Sequence, residues 1–308
     1  MDSQKVAPVT ATEEHRVDSL SLKEVLRSII VLFKLRVVVL LVLSSLGGAL
    51  LASGGTISFA NLSLLLFTGI LSSSGASAIN QYLERSSDAL MRRTLNRPLA
   101  NGLVSKPKLI LGISVSFIAI AVGLALYFQN VALAFFLAMG AAIYVGIYTV
   151  WLKPRTLLNI VIGGAAGSCA VLSGSAAAGN WSEPGAVVLA LLIFIWTPTH
   201  FWSLAMAFRD DYSRAGVPML PTVVSDRATA WWIALHTVAT SIVALILAVH
   251  PQLGLLYLIP MIAATVWIIF HTIRLIAYPD RKQAFKVFKI SNLYLGLALI
   301  FIYIGTLL

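Results

Sequence analysis

Residues 108–151 read KLILGISVSFIAIAVGLALYFQNVALAFFLAMGAAIYVGIYTVW. No charged residue follows Lys108 in this stretch, and the polar pair Gln129-Asn130 divides it into two apolar runs, 108–128 and 131–151. Each run has about the 20 residues a helix needs to cross a hydrocarbon core of roughly 30 Å. Two such runs joined by a tight polar turn form a helical hairpin through a bilayer, where a helix satisfies its own backbone hydrogen bonds. Further runs of the same kind lie at 35–52, 58–82, 157–178, 185–208, 229–249, 253–277 and 288–308. The expected fold is therefore all-α, a polytopic bundle of nine transmembrane helices.

The whole chain agrees with that reading. Its 308 residues are 59% hydrophobic and only 11% charged, with a mean hydropathy of +0.91. That leaves too little polar surface to clothe a soluble globule. A bundle of spans would use most of the chain, so 21–308 is expected to be one domain and 1–20 a disordered tail. The tail carries Glu13, Glu14, His15, Arg16 and Asp18 before any apolar run, unlike a cleaved signal. Ser21 with Glu24 fits a capping box, and Leu22, Val25, Leu26, Ile29, Ile30 and Phe33 recur at helical spacing, so an amphipathic helix along the membrane surface is expected there. The single cysteine, Cys169, excludes a disulfide framework and a cysteine-cluster metal site.

A net charge of +10 could suggest nucleic acid, but the basic residues are interleaved with apolar runs instead of forming one patch, and no nucleic-acid partner is expected. They report topology. The turns at Gly54-Gly55, Gln129-Asn130, Gly179 to Pro184 and His250 to Gln252 carry no Lys or Arg, so all 22 basic residues fall on the opposite side. The positive-inside rule makes that side cytoplasmic, with the N-terminus inside and the C-terminus outside. A location in the cell membrane follows, with the active-site loops cytoplasmic.

The acidic residues concentrate on the basic side where the second and sixth spans emerge. Asn80, Glu84 and Asp88 are spaced four apart, so they line one helical face. An amide and two carboxylates in that arrangement suit Mg²⁺, which takes one or two carboxylates and completes its shell with phosphate oxygens and water. Arg92, Arg93 and Arg97 follow, with guanidinium forks matched to phosphate. The alternative is a charged loop held by salt bridges. After the sixth span, Arg209, Asp210, Asp211 and Arg214 repeat the acid-and-arginine combination, followed by the Pro218 to Pro221 turn. His200 lies about 13 Å above the end of that span. It is expected to share a face with Asp211, with Ser203 and Ala207 leaving room between them for a flat ligand. An imidazole inside a membrane bundle is a candidate site residue, against the plainer role of bonding a neighbouring helix, assumed for His236 and His271. The glycines Gly163, Gly164 and Gly167 are read chiefly as packing residues that let helices approach.

Three segments carry a resemblance: NQYLERSSDALMRRTLNRPL (80–99), YTVWLKPRTLLNIVIGGAAG (148–167) and TPTHFWSLAMAFRDDYSRAGVPMLP (197–221). Over roughly residues 30 to 305 the chain resembles the haem-farnesylating branch of the UbiA superfamily of intramembrane prenyltransferases. That resemblance implies nine helices, two acidic motifs for Mg²⁺ (Mn²⁺ as the alternative), and transfer of a farnesyl group from farnesyl diphosphate to a vinyl group of haem B. It places Glu84, Asp88, Asp210 and Asp211 as metal ligands. Lys153, Arg97 and Arg214 become catalytic diphosphate-binding residues, and Asn80, Arg92, Arg93, Tyr148, His200 and Arg209 substrate-binding residues. It further implies contact with a downstream haem-modifying or oxidase-assembly enzyme. The sequence departs from the branch at Ser168-Cys169-Ala170-Val171 and Gly174-Ser175, where many members have a Pro-Pro pair and a Gly-Trp. A quinone-precursor or chlorophyll-type prenyltransferase shares the motifs, while a transporter would more naturally place its ionisable groups near the midplane.

Overall fold

The computed structural model describes residues 21–308. The expected tail, 1–20, lies outside the described residues. Nine helices long and apolar enough to cross a membrane are present among them: Leu35–Ser53, Phe59–Ala89, Pro107–Tyr127, Val131–Leu152, Asn159–Ala177, Pro184–Ala207, Asp226–Val249, Gly254–Ala277 and Arg281–Leu307. The protein is an integral membrane protein. It begins with a short surface helix, α1 (Leu22–Leu32), which starts at the expected capping box: Ser21 and Glu24 each bond the other's backbone N–H. The spans α2 (Leu35–Ser53), α3 (Phe59–Ala89) and α4 (Pro107–Tyr127) follow.

Three departures from the expected spans shape the site. First, α3 does not stop at residue 82 but continues as helix to Ala89, because Asn80, Gln81, Glu84 and Asp88 are all buried against other elements and so hold the polar end inside the bundle. Second, the fourth span is α-helical only as α5 (Val131–Ala141); it continues as a π-helical segment, Ala142–Leu152. Hydrogen bonds that close five residues apart are uncommon and concentrate at functional sites. Third, the sixth span, α8 (Pro184–Ala207), ends at Phe208 (φ −122°, ψ 32°), and Asp210 and Asp211 sit on a separate turn of helix, α9 (Arg209–Arg214). Between these lie α6 (Asn159–Gly163) and α7 (Ala165–Ala177); after them come α10 (Leu220–Val223), α11 (Asp226–Ile246), α12 (Gly254–Ala277) and α13 (Arg281–Leu307).

The helices pack through small residues. A Cβ added to Gly48 would lie 2.3 Å from the carbonyl oxygen of Val171, and one added to Gly174 would lie 1.7 Å from that of Ser45, so α2 and α7 touch backbone to backbone. Ser45 and Ser173 bond across the same contact at 3.2 Å. On another face of α7, Cys169 is buried beside Gly140 of α5. The stretch that departs from the resembling family thus serves this close packing. The outer faces are apolar: Phe67, Ile120, Phe135, Ile259, Val266 and Ile300 are exposed, as lipid-facing residues should be.

Candidate active site

On the basic face of the bundle, a buried polar array forms from elements far apart in sequence. Asn80, Glu84 and Asp88 lie on one face of α3, at 1%, 8% and 3% exposure. Each acceptor meets a cation from a different element. Lys153, at the end of the π-helical segment, places Nζ 2.5 Å from Glu84 Oε1. Arg97 returns from the loop after α3 to place Nη1 2.5 Å from Asp88 Oδ2. Lys34, between α1 and α2, donates to Asn80 Oδ1 at 2.5 Å and to the Tyr144 hydroxyl at 3.0 Å. Three cations thus face two carboxylates, leaving the array one positive charge in excess when all are ionised. Burial, reinforced by Arg97 and Lys153, pushes the Lys34 ammonium down to about 7, while Glu84 and Asp88 pull the other way.

The π-helical segment explains why its residues converge. Thr149 Oγ1 donates to Tyr144 O five residues back at 2.7 Å and accepts from Asn80 Nδ2 at 2.9 Å. The rings of Tyr144 and Tyr148 stack at 5.8 Å and 9°, and Lys153 Nζ lies 5.7 Å from the Tyr148 ring centroid. Behind that ring, a Cβ on Gly163 would sit only 2.7 Å from Tyr148 Cδ2. The glycine is what lets the tyrosine seat. Gly164 and Gly167 similarly admit Thr197 and Ile193, in keeping with their expected packing role.

The second motif forms an adjoining, more open cleft of about 250 Å³, lined by Arg92, Arg209, Asp210, Asp211, Arg214 and Arg281 among others. Asp210 is exposed into solvent, whereas Asp211 is 5% exposed and fully engaged. Its Oδ2 accepts from the Arg93 backbone N–H at 3.1 Å and its Oδ1 pairs with Arg214. The Arg93 guanidinium also reaches the Tyr212 hydroxyl at 3.4 Å. The loop after α3 is therefore tied to α9, and the two motifs share one wall. Arg209 instead pairs with Asp226 at 3.0 Å in an exposed position, where an ion pair contributes little.

His200 is not arranged as the face-sharing expectation requires, because α8 breaks before Asp211. Ser203 and Ala207 are buried by packing, and Ser203 bonds back to the carbonyls of Thr199 and His200. The imidazole instead stacks on Trp196 at 4.3 Å, and its Nδ1 lies 3.1 Å from Ser291 Oγ on α13. Ser291 spends its own proton on Phe288 O at 2.8 Å. The network therefore puts the proton on Nδ1 and the lone pair on Nε2. His236 bonds Trp232 O of its own helix, not a neighbour, and His271 Nδ1 is buried with no partner.

Lys34, Tyr144, Thr149 and Gln81 were not among the candidates the sequence offered. A lysine beside Arg36 ahead of a span reads as topology, and nothing local reveals that its ammonium turns inward. The only signal for Tyr144 and Thr149 is their spacing from Lys153, which an α-helical period obscures.

The UbiA prenyltransferase family matches residues 41–293. Protoheme IX farnesyltransferase 2 of Paramagnetospirillum magneticum is 41% identical over 277 residues, covering 90% of this chain and 96% of its own. A solved structure of a digeranylgeranylglyceryl phosphate synthase superposes with a TM-score of 0.77 at 18% identity, over 92% of this chain and 98% of that one. A UbiA homolog from Archaeoglobus fulgidus bound to GPP and Mg²⁺ gives 0.60 at 16% identity, over 89% and 99%.

Proposed function

Since the chain belongs to the UbiA prenyltransferase family, we propose that it transfers the farnesyl group of farnesyl diphosphate to a vinyl group of haem B. Water adds in the same reaction, and haem O and diphosphate are the products. The acceptor is supported by the protoheme IX farnesyltransferase of P. magneticum, to which most of the chain aligns. The observation that carries the chemistry is the buried array in which Lys34, Lys153 and Arg97 each cap one acceptor of the first motif. Half-buried cations held in place by buried counter-groups form a preorganised site for a polyanion.

Mg²⁺ fits these residues. No group of three His, Cys, Asp or Glu side chains converges among the described residues, so the chain offers no complete cage. A hard cation that takes few carboxylates and fills its shell with phosphate and water suits such a donor set. Glu84 and Asp88 in the first motif, and Asp210 and Asp211 in the second, would each offer carboxylate oxygens to such an ion, which would neutralise charge growing on the departing diphosphate. Asp211 is the better placed of the second pair because it is buried and joined to the first motif's loop.

The chain's own residues supply the rest. Lys153, Arg97 and Arg214 would turn from their carboxylates toward diphosphate oxygens, with Arg92, Arg93 and Arg209 around the open cleft. As the allylic C–O bond ionises, the parallel faces of Tyr144 and Tyr148 offer π-density to the carbocation. The vinyl carbon of haem B attacks that cation, and water captures the cation left beside the ring. His200 would meet the haem through Nε2, with Ser291 holding the ring in the right tautomer. The basic face is assigned to the cytoplasm, and residues 21–308 act as one domain. The test is turnover of haem B and farnesyl diphosphate by the purified protein with Mg²⁺. A quinone precursor prenylated in place of haem would overturn the acceptor assignment.

A further inference from the structure

The residue that anchors Asn80 belongs to an unusual junction. Lys34 adopts φ 49°, ψ 44°, a left-handed conformation that residues other than glycine rarely hold. Such a conformation persists where its surroundings over-determine it, and these sites concentrate near function. The surroundings here are specific. Gln81, next to Asn80 on α3, donates Nε2 to Val31 O at 2.7 Å and to Leu32 O at 2.8 Å, carbonyls at the C-terminal end of α1. Leu32 is buried with Ala78 and Leu99, and Phe33 stacks on Phe117 of α4 at 5.7 Å. The same helix keeps Leu22, Leu26, Ile29 and Ile30 exposed, an apolar face suited to a lipid surface.

Lys34 also decides how Asn80 is turned. An ammonium only donates, so the atom of the Asn80 amide facing it at 2.5 Å must be oxygen. The Thr149 hydroxyl proton is already given to Tyr144 O, so Thr149 accepts, and the atom facing it must be the amide nitrogen. The orientation of Asn80 is thus fixed from both sides, one of them supplied by the junction after α1.

We propose that α1 is a membrane-seated strap, latched to α3 by Gln81, that delivers Lys34 as a positioning residue fixing Asn80 and Tyr144 for the diphosphate end of the substrate. The proposal rests on the diphosphate reading above, and two measurements keep the two separable. In lipid nanodiscs, amide hydrogen exchange over residues 29–36 tests the latch without any ligand. Gln81→Ala should speed exchange there by on the order of tenfold, the loss of the paired hydrogen bonds, and unchanged protection would overturn the latch. Calorimetry with inorganic pyrophosphate and Mg²⁺ tests the delivery. Lys34→Met should weaken binding by on the order of tenfold, as expected for one charge-assisted hydrogen bond. Lys34→Arg, which still donates, should recover most of it. Because Gln81 acts through Lys34, Lys34→Met with Gln81→Ala should bind no worse than Lys34→Met alone. Losses that multiply in the double variant, or an arginine no better than methionine, would overturn the positioning role. Absence of pyrophosphate binding in the unmodified protein, with the exchange result intact, would reject the diphosphate reading and leave the latch standing.

Discussion

Replacing Gly163 with alanine probes the site without touching a charge. The added Cβ would lie 2.7 Å from Tyr148 Cδ2 and 3.1 Å from Cγ, against 3.4 Å for the near edge of ordinary contact. The ring must therefore retreat by 3.4 − 2.7, or about 0.7 Å, from the position in which it stacks on the Tyr144 ring and lies under the Lys153 ammonium. Overpacking of this kind costs about 1–3 kcal/mol, and the helix gains back about 1 kcal/mol on losing a glycine. Stability should thus fall by no more than about 2 kcal/mol. Displacing a positioned group by about 1 Å can cost on the order of 100-fold in rate, so farnesyl transfer should drop by about 10- to 100-fold. The assay is turnover of haem B followed by mass spectrometry, with thermal stability measured in parallel. Gly112→Ala on α4, where nothing lies within 4 Å, is the control and should keep full turnover. Unimpaired turnover in Gly163→Ala would show that the Tyr144–Tyr148 stack is only packing.

Glu84→Gln and Asp88→Asn should abolish turnover at any Mg²⁺ concentration. Each also strands a partly buried cation, Lys153 or Arg97, and should lower thermal stability by up to about 3–5 kcal/mol; activity near that of the unaltered protein would reduce these acids to structural ion pairs. His200→Ala should weaken haem retention while sparing pyrophosphate binding, and Ser291→Ala should do so more mildly by releasing the imidazole; equal loss of both ligands would remove His200 from haem contact. A reporter fused after Leu308 should be extracytoplasmic and one inserted between Ser86 and Asn101 cytoplasmic; both on one side would break the nine-span topology.

The bundle was legible because lipid imposes a simple rule: bilayer-length apolar runs between polar turns, with no Lys or Arg in alternate turns. The spacing of Asn80, Glu84 and Asp88 was legible for an equally local reason, since a helix puts every fourth residue on one face. What the sequence concealed is long-range pairing. Nothing near Lys34 shows that its partners are Asn80 and Tyr144, or that Gln81 holds α1. The π-helical segment Ala142–Leu152 replaces one periodicity with another, and the break at Phe208 has neither glycine nor proline to announce it. His200 was found by its polarity within a span. Its ring is held by Trp196 and Ser291, and Ser291 lies on a helix 91 residues away.

The central claim is that a farnesyl cation is captured by a haem vinyl group and the resulting cation by water. A ring acceptor regains aromaticity by losing a proton, whereas the cation left on a vinyl acceptor takes up water from solvent and releases a proton. Membranes containing the protein, supplied with haem B, farnesyl diphosphate and Mg²⁺ in ¹⁸O-labelled water, should yield a haem bearing a hydroxyethylfarnesyl group with the label in its hydroxyl. An unlabelled prenylated quinone precursor, with the haem unmodified, would contradict the account.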